Sequence, residues 1–127
     1  NLAPTVAIAW KNSAEAARAT MAAMPMLTKA DKVVVLSAAE GDDTADALKS
    51  ADALALQLRW HGIKPESFGV SAAGRTAADA VLDMARASGA DMLVMGGYGH
   101  ARLREFIFGG FTRQVLRECR LPVFLFH

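Results

Sequence analysis

Short apolar runs alternate with longer helical segments, and this alternation constrains the fold more than any other feature of the chain. The runs hold β-branched and other apolar residues at consecutive positions, which is typical of strands buried on both faces. Such strands, alternating with helices, predict a doubly wound, five-stranded parallel α/β sheet with helices on both faces. The predicted strands are Thr5–Trp10, Val33–Leu36, Pro65–Ser71, Asp91–Met95 and Val123–Phe126.

The segments between the strands carry start and stop signals for helices. Asn12 or Ser13 is a suitable N-cap for an alanine-rich helix up to Met24, and Pro25 is expected to end or kink that helix. Gly69 interrupts the third apolar run and predicts a weaker strand there. The other predicted helices start at Asp42–Thr44, at Gly74–Thr76 and at about Gly109, and stop at Gly62, Gly89 and Arg120.

The composition is globular and argues against two classes of partner. With 127 residues, of which 53% are hydrophobic, the chain fits one domain with a single core. Its 14 basic and 13 acidic residues give a net charge of +1, without the basic excess typical of nucleic-acid binders. The apolar runs are far shorter than the ~20 residues of a membrane-spanning helix. We therefore expect neither a nucleic-acid nor a membrane partner.

The single cysteine and the scattered histidines argue against a metal site. Cys119 alone can form neither an internal disulfide nor a multi-cysteine metal site, and it suits a reducing cytoplasm. Its thiol is expected to be buried and inert. His61, His100 and His127 lack the spacing of metal ligands, so no metal site is predicted.

A glycine-rich segment follows the fourth predicted strand and is the best candidate for a binding site. Gly96 and Gly99 come directly after the strand, and Gly109 and Gly110 open the next helix, with Thr112 in its first turn. Free amide groups at a helix start, together with the helix dipole, favour an anion. The alternative is that these glycines only form tight turns. Neither the P-loop motif nor the dinucleotide fingerprint after the first strand is present.

The spacing of these glycines resembles a known signature. Gly96-x2-Gly99-x9-Gly109 is similar to the G-x2-G-x9-G-[ST] pattern of the universal stress protein family. The run at 90–96 resembles that family's ADLLVMG strand, and Leu121-Pro122-Val123 resembles its closing strand. The segments 98–105 and 109–112 look most like the C-terminal domain of tandem bacterial members. The resemblance implies one domain over residues 1–127, which the tandem members would carry as their second half.

The resemblance also implies a ligand and a set of binding residues. In ATP-binding members the signature glycines and the hydroxyl residue hold the phosphates, and an aspartate after the first strand contacts the nucleoside. The implied ligand is therefore ATP or another adenine nucleotide. Carried over by position, the candidate binding residues are Gly96, Gly99, His100, Gly109, Gly110, Phe111, Thr112, Lys11 and Ala38.

Two of these positions depart from the family pattern. Gly110 stands where the family has Ser or Thr, which removes a hydroxyl but keeps the backbone amide. Lys11 replaces the aspartate, and an ammonium group can donate to ribose hydroxyls but cannot accept from them. Losing that acceptor costs on the order of 1 kcal/mol. Lys11 could instead attract a phosphate, and His100 is either a phosphate contact or a solvated loop residue.

The last strand is expected to lie at an edge of the sheet. An edge built from Val123, Phe124, Leu125 and Phe126 invites pairing with another strand unless it is covered. The resemblance implies that the same strand of a second domain covers it, either in a homodimer or within a tandem chain.

Three functional hypotheses remain open from the sequence. The leading one is a stress-response module that binds an adenine nucleotide, which the three-glycine spacing favours. The second is a dimerisation or structural domain with a degenerate pocket, which Lys11 and Gly110 favour. The third and weakest is a slow ATPase, for which Glu105 is the nearest candidate base.

Overall fold

The predicted strands pair in parallel into one sheet in the computed structural model, which describes residues 4–39, 43–97 and 110–126. The strands in these ranges are β1 (Thr5–Ala9), β2 (Lys32–Ala38), β3 (Pro65–Val70), β4 (Met92–Gly96) and β5 (Val123–Phe126). The helices are α1 (Ala14–Lys29), α2 (Ala45–Arg59), α3 (Ala77–Ala87) and α4 (Gly110–Glu118). The sheet order β3-β2-β1-β4-β5 confirms the doubly wound, five-stranded α/β fold and the edge position of β5.

Alternate residues of each strand point to two different helix layers. In β1, Val6 and Ile8 join the core beneath α1 and α2, whereas Ala7 and Ala9 join the core beneath α3 and α4. Both cores are built from small and branched apolar side chains that are almost completely buried. This two-sided burial explains why the strands are apolar at consecutive positions.

The helix starts follow the predicted capping chemistry. The Ser13 side chain accepts a hydrogen bond from the amide of Ala16 at 3.1 Å, which confirms Ser13 as the N-cap of α1. Asp43 accepts from the amide of Ala45 at 2.9 Å at the start of α2. Because side-chain acceptors satisfy amides that lack a partner inside the helix, α1, α2 and α3 begin close to their predicted starts.

The expectation that Pro25 ends the first helix is wrong, because α1 continues to Lys29, whereas the alternative of a kink stays a prediction. A proline inside a helix costs roughly 3 kcal/mol through its missing N–H and the clash of its ring. Leu27, two residues later, is almost completely buried in the core, and burying a leucine recovers about 1.5–3 kcal/mol. Pro25 itself faces solvent, and its carbonyl accepts a hydrogen bond from the Thr28 hydroxyl. Burial of Leu27 in the last turn therefore offsets much of the cost of the local helix breaker.

Gly62 caps the end of α2 as predicted. It has a φ of +80°, which favours glycine, and its amide donates to the carbonyl of Arg59. The amide of Ile63 donates to the carbonyl of Leu58 at 3.2 Å, and the Ile63 side chain is buried. These paired bonds and the apolar contact are the features of a Schellman motif.

Smaller expectations differ from the structure at single residues. The first strand ends at Ala9 rather than at Trp10, although the Trp10 amide still donates to the carbonyl of Leu36 at 2.8 Å. The strand that contains Gly69 pairs with β2 along its full length and is not weakened. Cys119 is half-buried rather than buried, and its thiol donates to the carbonyl of Leu121 at 3.6 Å.

Membrane crossing needs a long apolar helix, and none of the helices in the described ranges meets that requirement.

Candidate functional site

The strand order reverses between β1 and β4, and the candidate site lies at the carboxyl ends of these strands. Ala9 pairs with Leu36 of β2 and with Met95 of β4. Lys11 follows the end of β1 by two residues, Ala38 ends β2, and Gly97 directly follows β4, so all three lie near this edge of the sheet. Ligands of doubly wound sheets bind at such a reversal point.

At this edge Gly96 packs closely against the backbone at the start of α1. A Cβ atom at Gly96 would lie 2.5 Å from the Ala16 nitrogen and 2.5 Å from the Glu15 carbonyl carbon. Contacts this short with backbone atoms exclude any side chain unless the helix moves. The absence of a side chain at Gly96 is therefore needed for helix packing, independently of any ligand.

Gly97 holds the sheet together at the same edge. Its amide donates to the carbonyl of Phe126 at 2.9 Å and so extends the pairing of β4 with β5. Because this amide is already bonded, it does not contribute a free donor to an anion site.

The first turn of α4 is the described part of the site that best fits an anion. A helix start offers amide groups that have no partner within the helix, and the helix dipole adds partial positive charge. Gly110 is exposed, and a Cβ atom placed there would meet no atom of the described residues within 4 Å. Thr112 is only 7% exposed in the same turn. This turn therefore has open space on the side of Gly110.

Phe111 and Ala38 border the same core, the one beneath α3 and α4. Both are half-buried and pack against that core, although one lies in α4 and the other ends β2. Lys11 is exposed after β1. The described candidate residues therefore lie around the carboxyl edge of the sheet.

Three of the predicted binding residues, Gly99, His100 and Gly109, lie outside the described residues, as does Glu105. The three-glycine spacing therefore stays a prediction from the sequence.

A hydrogen-bonded cluster joins α4 to the start of α3, and it was not among the residues predicted from the sequence. Thr76 caps α3 and forms a capping box with Asp79, three residues later. Gln114 of α4 bonds to both residues: it accepts from the Thr76 hydroxyl and donates to the Asp79 carboxylate, each at 2.8 Å. The Thr76-x-x-Asp79 spacing was the available signal for the capping box. Nothing local in the sequence points to Gln114, because it is 38 residues from Thr76.

An ion pair lies just before this cluster. Arg75 bonds to Asp83, which also contacts Arg86 at 3.1 Å. The hydrogen bond from Arg75 lowers the pKa of the Asp83 carboxyl, and the same bond raises the pKa of Arg75. All three side chains are well exposed, so water screens the pair.

A shallow hollow of about 340 Å³ lies on the other face, between the start of α1 and α2. Trp10 lines it, and the indole N–H of Trp10 donates to the Ser50 hydroxyl at 3.1 Å. Lys49, Ala53 and Gln57 of α2 complete much of its wall. This hollow is separate from the first turn of α4.

Within the described ranges, no three His, Cys, Asp or Glu side chains are grouped closely enough to hold a metal ion.

The sheet order and its open edge place the chain among doubly wound α/β proteins. Residues 5–127 match the model of the Universal stress protein family, and the chain belongs to that family. A curated relative, "Universal stress protein Slr1230" of Synechocystis, is 38% identical over 50 residues. That match covers 39% of this chain and 17% of the relative.

Solved structures of universal stress proteins share the fold. One from Archaeoglobus fulgidus is 22% identical with a TM-score of 0.80 and full coverage of both chains. A universal stress protein in complex with cAMP is 19% identical, with a TM-score of 0.70 and coverage of 100% of this chain and 99% of that one. Another A. fulgidus structure, in complex with dAMP, is 20% identical, with a TM-score of 0.73 and 98% coverage of both chains. At these identities the likeness concerns the fold.

Proposed function

We propose that the chain is a nucleotide-binding universal stress protein domain that takes an adenine nucleotide, with ATP as the expected ligand. The first turn of α4, where Gly110 is exposed and no described residue fills the space beside it, is the observation that carries this proposal. Two structures of the same fold hold cAMP and dAMP, which both combine an adenine with one phosphate. The three-glycine spacing in the sequence supports the same ligand class.

Lys11 gives this domain a charge that favours phosphates over ribose. Lys11 is exposed two residues after the end of β1, and its ammonium group can only donate hydrogen bonds. We expect affinity to rise from AMP to ADP to ATP as charge accumulates, and to fall as salt screens the attraction. An equal affinity for all three nucleotides would contradict a role for Lys11 in phosphate binding.

Gly110→Val is the sharpest test of the site. Because a side chain at position 110 enters open space, the substitution should preserve the fold while it obstructs the first turn of α4. We expect calorimetry to show saturable ATP binding by the parent protein and at least a tenfold weaker affinity in the variant, about 1.4 kcal/mol. Gly62→Ala, at a distant turn, is the control for general loss of stability. Flat titrations of the parent at millimolar ATP would overturn the proposal.

A second candidate function, a dimerisation module, is favoured by the exposed apolar edge. Leu125 and Phe126 of β5 are 39% and 41% exposed, and Leu116 of α4 is also exposed. We propose that β5 pairs with the β5 strand of a second domain, in a homodimer or a tandem protein, which would cover these side chains.

The exposed residues of β5 allow a clean test of this pairing. Phe124 packs against the core beneath α1 and α2, so changing it would also damage the fold. Phe126→Lys is the better variant, because it places a charge on the open edge. We expect light scattering to show a dimer for the parent and a monomer for Phe126→Lys at the same concentration. An equal mass for both would contradict pairing through this edge.

A further inference from the structure

We propose that Gln114 is a positioning residue that holds the first turn of α4 in place and thereby sets the affinity for the nucleotide. This inference rests on the proposed function, because the first turn of α4 is the candidate phosphate site. Gln114 lies one helical turn after Gly110, so any shift of its side-chain anchor moves that turn directly.

The side-chain amide of Gln114 forms hydrogen bonds through both its oxygen and its nitrogen to two other residues of the cluster. Its oxygen accepts from the Thr76 hydroxyl at 2.8 Å, and its nitrogen donates to Asp79 at 2.8 Å. The same nitrogen donates to Glu118, one turn further along α4, at 3.1 Å. In the capping box each of the Thr76 and Asp79 side chains accepts from the backbone amide of the other residue, so the three residues form a closed ring of hydrogen bonds. A closed ring of bonds fixes the helix in more than one direction.

Apolar contacts alone would fix the position of α4 less precisely than these hydrogen bonds do. Val115 and Thr112 are the buried residues of this helix, which spans 9 residues. Burial of this kind is non-directional, so a short helix can slide or rotate slightly over its core without exposing them. Hydrogen bonds require defined distances and angles. The ring at Gln114 therefore supplies the directional restraint that the small apolar contact lacks.

The chemistry of the ring demands an amide at position 114. Asp79 and Glu118 offer only acceptors when ionised, whereas the Thr76 hydroxyl donates to position 114. A glutamine side chain both accepts and donates, and glutamate has nearly the same shape but no donor above its pKa. Gln114→Glu would place a third carboxylate beside Asp79 and Glu118, which raises the pKa of the new carboxyl. Nearby cations are Arg75, which interacts with Asp79, and Arg117, which pairs with Glu118.

The test compares Gln114→Glu with Gln57→Glu, the same change on an exposed position of α2. At about pH 7.5 we expect Gln114→Glu to weaken ATP binding about tenfold, the worth of one charge-assisted hydrogen bond. As the pH is lowered towards about 5, the carboxyl introduced at position 114 gains protons and can donate again, so the ratio of the variant's Kd to that of the parent should fall towards one. Gln57→Glu should keep the parental Kd at both values.

Variants of Thr76 test the same ring of hydrogen bonds from the start of α3. Thr76→Val removes the hydroxyl and should weaken ATP binding, whereas Thr76→Ser keeps it and should bind like the parent. A purely structural role would lower Tm in Gln114→Glu and Thr76→Val without changing the Kd measured well below Tm. That result would overturn the inference.

Hydrogen exchange of the ligand-free protein separates this inference from the proposed function. The amides of Val115 and Leu116 report on the first turn of α4 because they donate to its carbonyls, and we expect them to exchange faster in Gln114→Glu than in Gln57→Glu at about pH 7.5. If the parent does not bind ATP, the proposed function fails, but faster exchange in this turn would still support the positioning role. Unchanged exchange in this turn would overturn the positioning role whether or not ATP binds.

Discussion

The two helix layers hold their helices at the carboxyl edge of the sheet by different means. On one face, α1 and α2 lie directly on glycines of the strands: a Cβ atom at Gly96 would meet the backbone of α1, and one at Gly69 would lie 2.6 Å from the carbonyl oxygen of Thr44, just before α2. On the other face, α3 and α4 are joined by side-chain hydrogen bonds through Gln114. The layer of α1 and α2 therefore requires glycines, which have no side chain, whereas the layer of α3 and α4 is joined by polar side chains.

This difference teaches which face can tolerate adjustment. Backbone packed on a glycine cannot accept even one methyl group without moving, because protein interiors leave no spare volume. A hydrogen-bonded ring can lose one partner and still leave the apolar core beneath it intact. We therefore infer that the face of α1 and α2 is the rigid support, and that the face of α3 and α4 is the adjustable one, where the candidate site lies.

The largest loss of stability is expected for Gly96→Ala, which adds a Cβ atom on the rigid face, beneath α1. The added Cβ atom would press on the first turn of α1 while Gly97 remains bonded to β5, so neither side can yield easily. We expect a loss of about 3 kcal/mol in the free energy of unfolding, measured by urea denaturation. Gly110→Ala, where the new atom meets no described residue within 4 Å, is the control. Equal stability of the two variants would show that α1 is not tightly packed there.

Gly69→Ala should have the same kind of effect but a smaller one. Its Cβ atom would lie 2.7 Å from the Leu48 nitrogen, but β3 is an edge strand and can move outward. We expect a loss of about 2 kcal/mol in the same denaturation experiment. A larger loss than for Gly96→Ala would contradict the idea that the edge position relieves the strain.

Substitutions at the N-caps of α1 and α3 allow a direct comparison of the stability of the two faces. Ser13→Ala removes one hydrogen bond at the start of α1 and should cost about 1 kcal/mol. Thr76→Ala removes a cap bond and the bond to Gln114, so it should cost about 2 kcal/mol. Urea denaturation of both variants gives the comparison. Equal losses would mean that the ring at Gln114 adds nothing to the cap.

The smallest effect is expected at the exposed pair of Arg75 and Asp83. Because the pKa of Asp83 is lowered in the folded protein, the pair stabilises it above the pKa of an unfolded aspartate, about 4, and this contribution is lost as the pH falls through the folded pKa. We expect Arg75→Gln to lower Tm slightly at neutral pH and to approach the parent once the pH lies below the folded pKa of Asp83. A difference in Tm that grows in acid would contradict this sign.

Much of the fold could be predicted because its signals are local. Consecutive apolar residues, the cap at Ser13 and the glycine at position 62 each act within a few residues, and the doubly wound class followed from the alternation of strands and helices. Pro25 misled the prediction because the burial of Leu27 is a tertiary effect that offsets a local preference. Local chemistry therefore gives the elements, but packing decides where they end.

Less of the candidate site could be predicted, because its geometry depends on distant contacts. The sequence suggested Gly96 as a ligand residue, but its contact with α1 across the fold gives it a packing reason to be glycine. Gln114 carried no signal, since its partners lie 35 and 38 residues away. The family match agrees with the resemblance to the glycine signature, while Lys11 and Gly110 remain the positions where this chain departs from it.

The most direct measurement of the central claim is a map of backbone amide shifts by NMR during titration with ATP. We expect saturable shifts in the first turn of α4, at Gly110, Phe111 and Thr112, together with Lys11 and Ala38. Shifts confined to Trp10, Ser50 and Gln57, which line the hollow on the other face, would contradict the claim. So would the absence of any saturable shift at millimolar ATP.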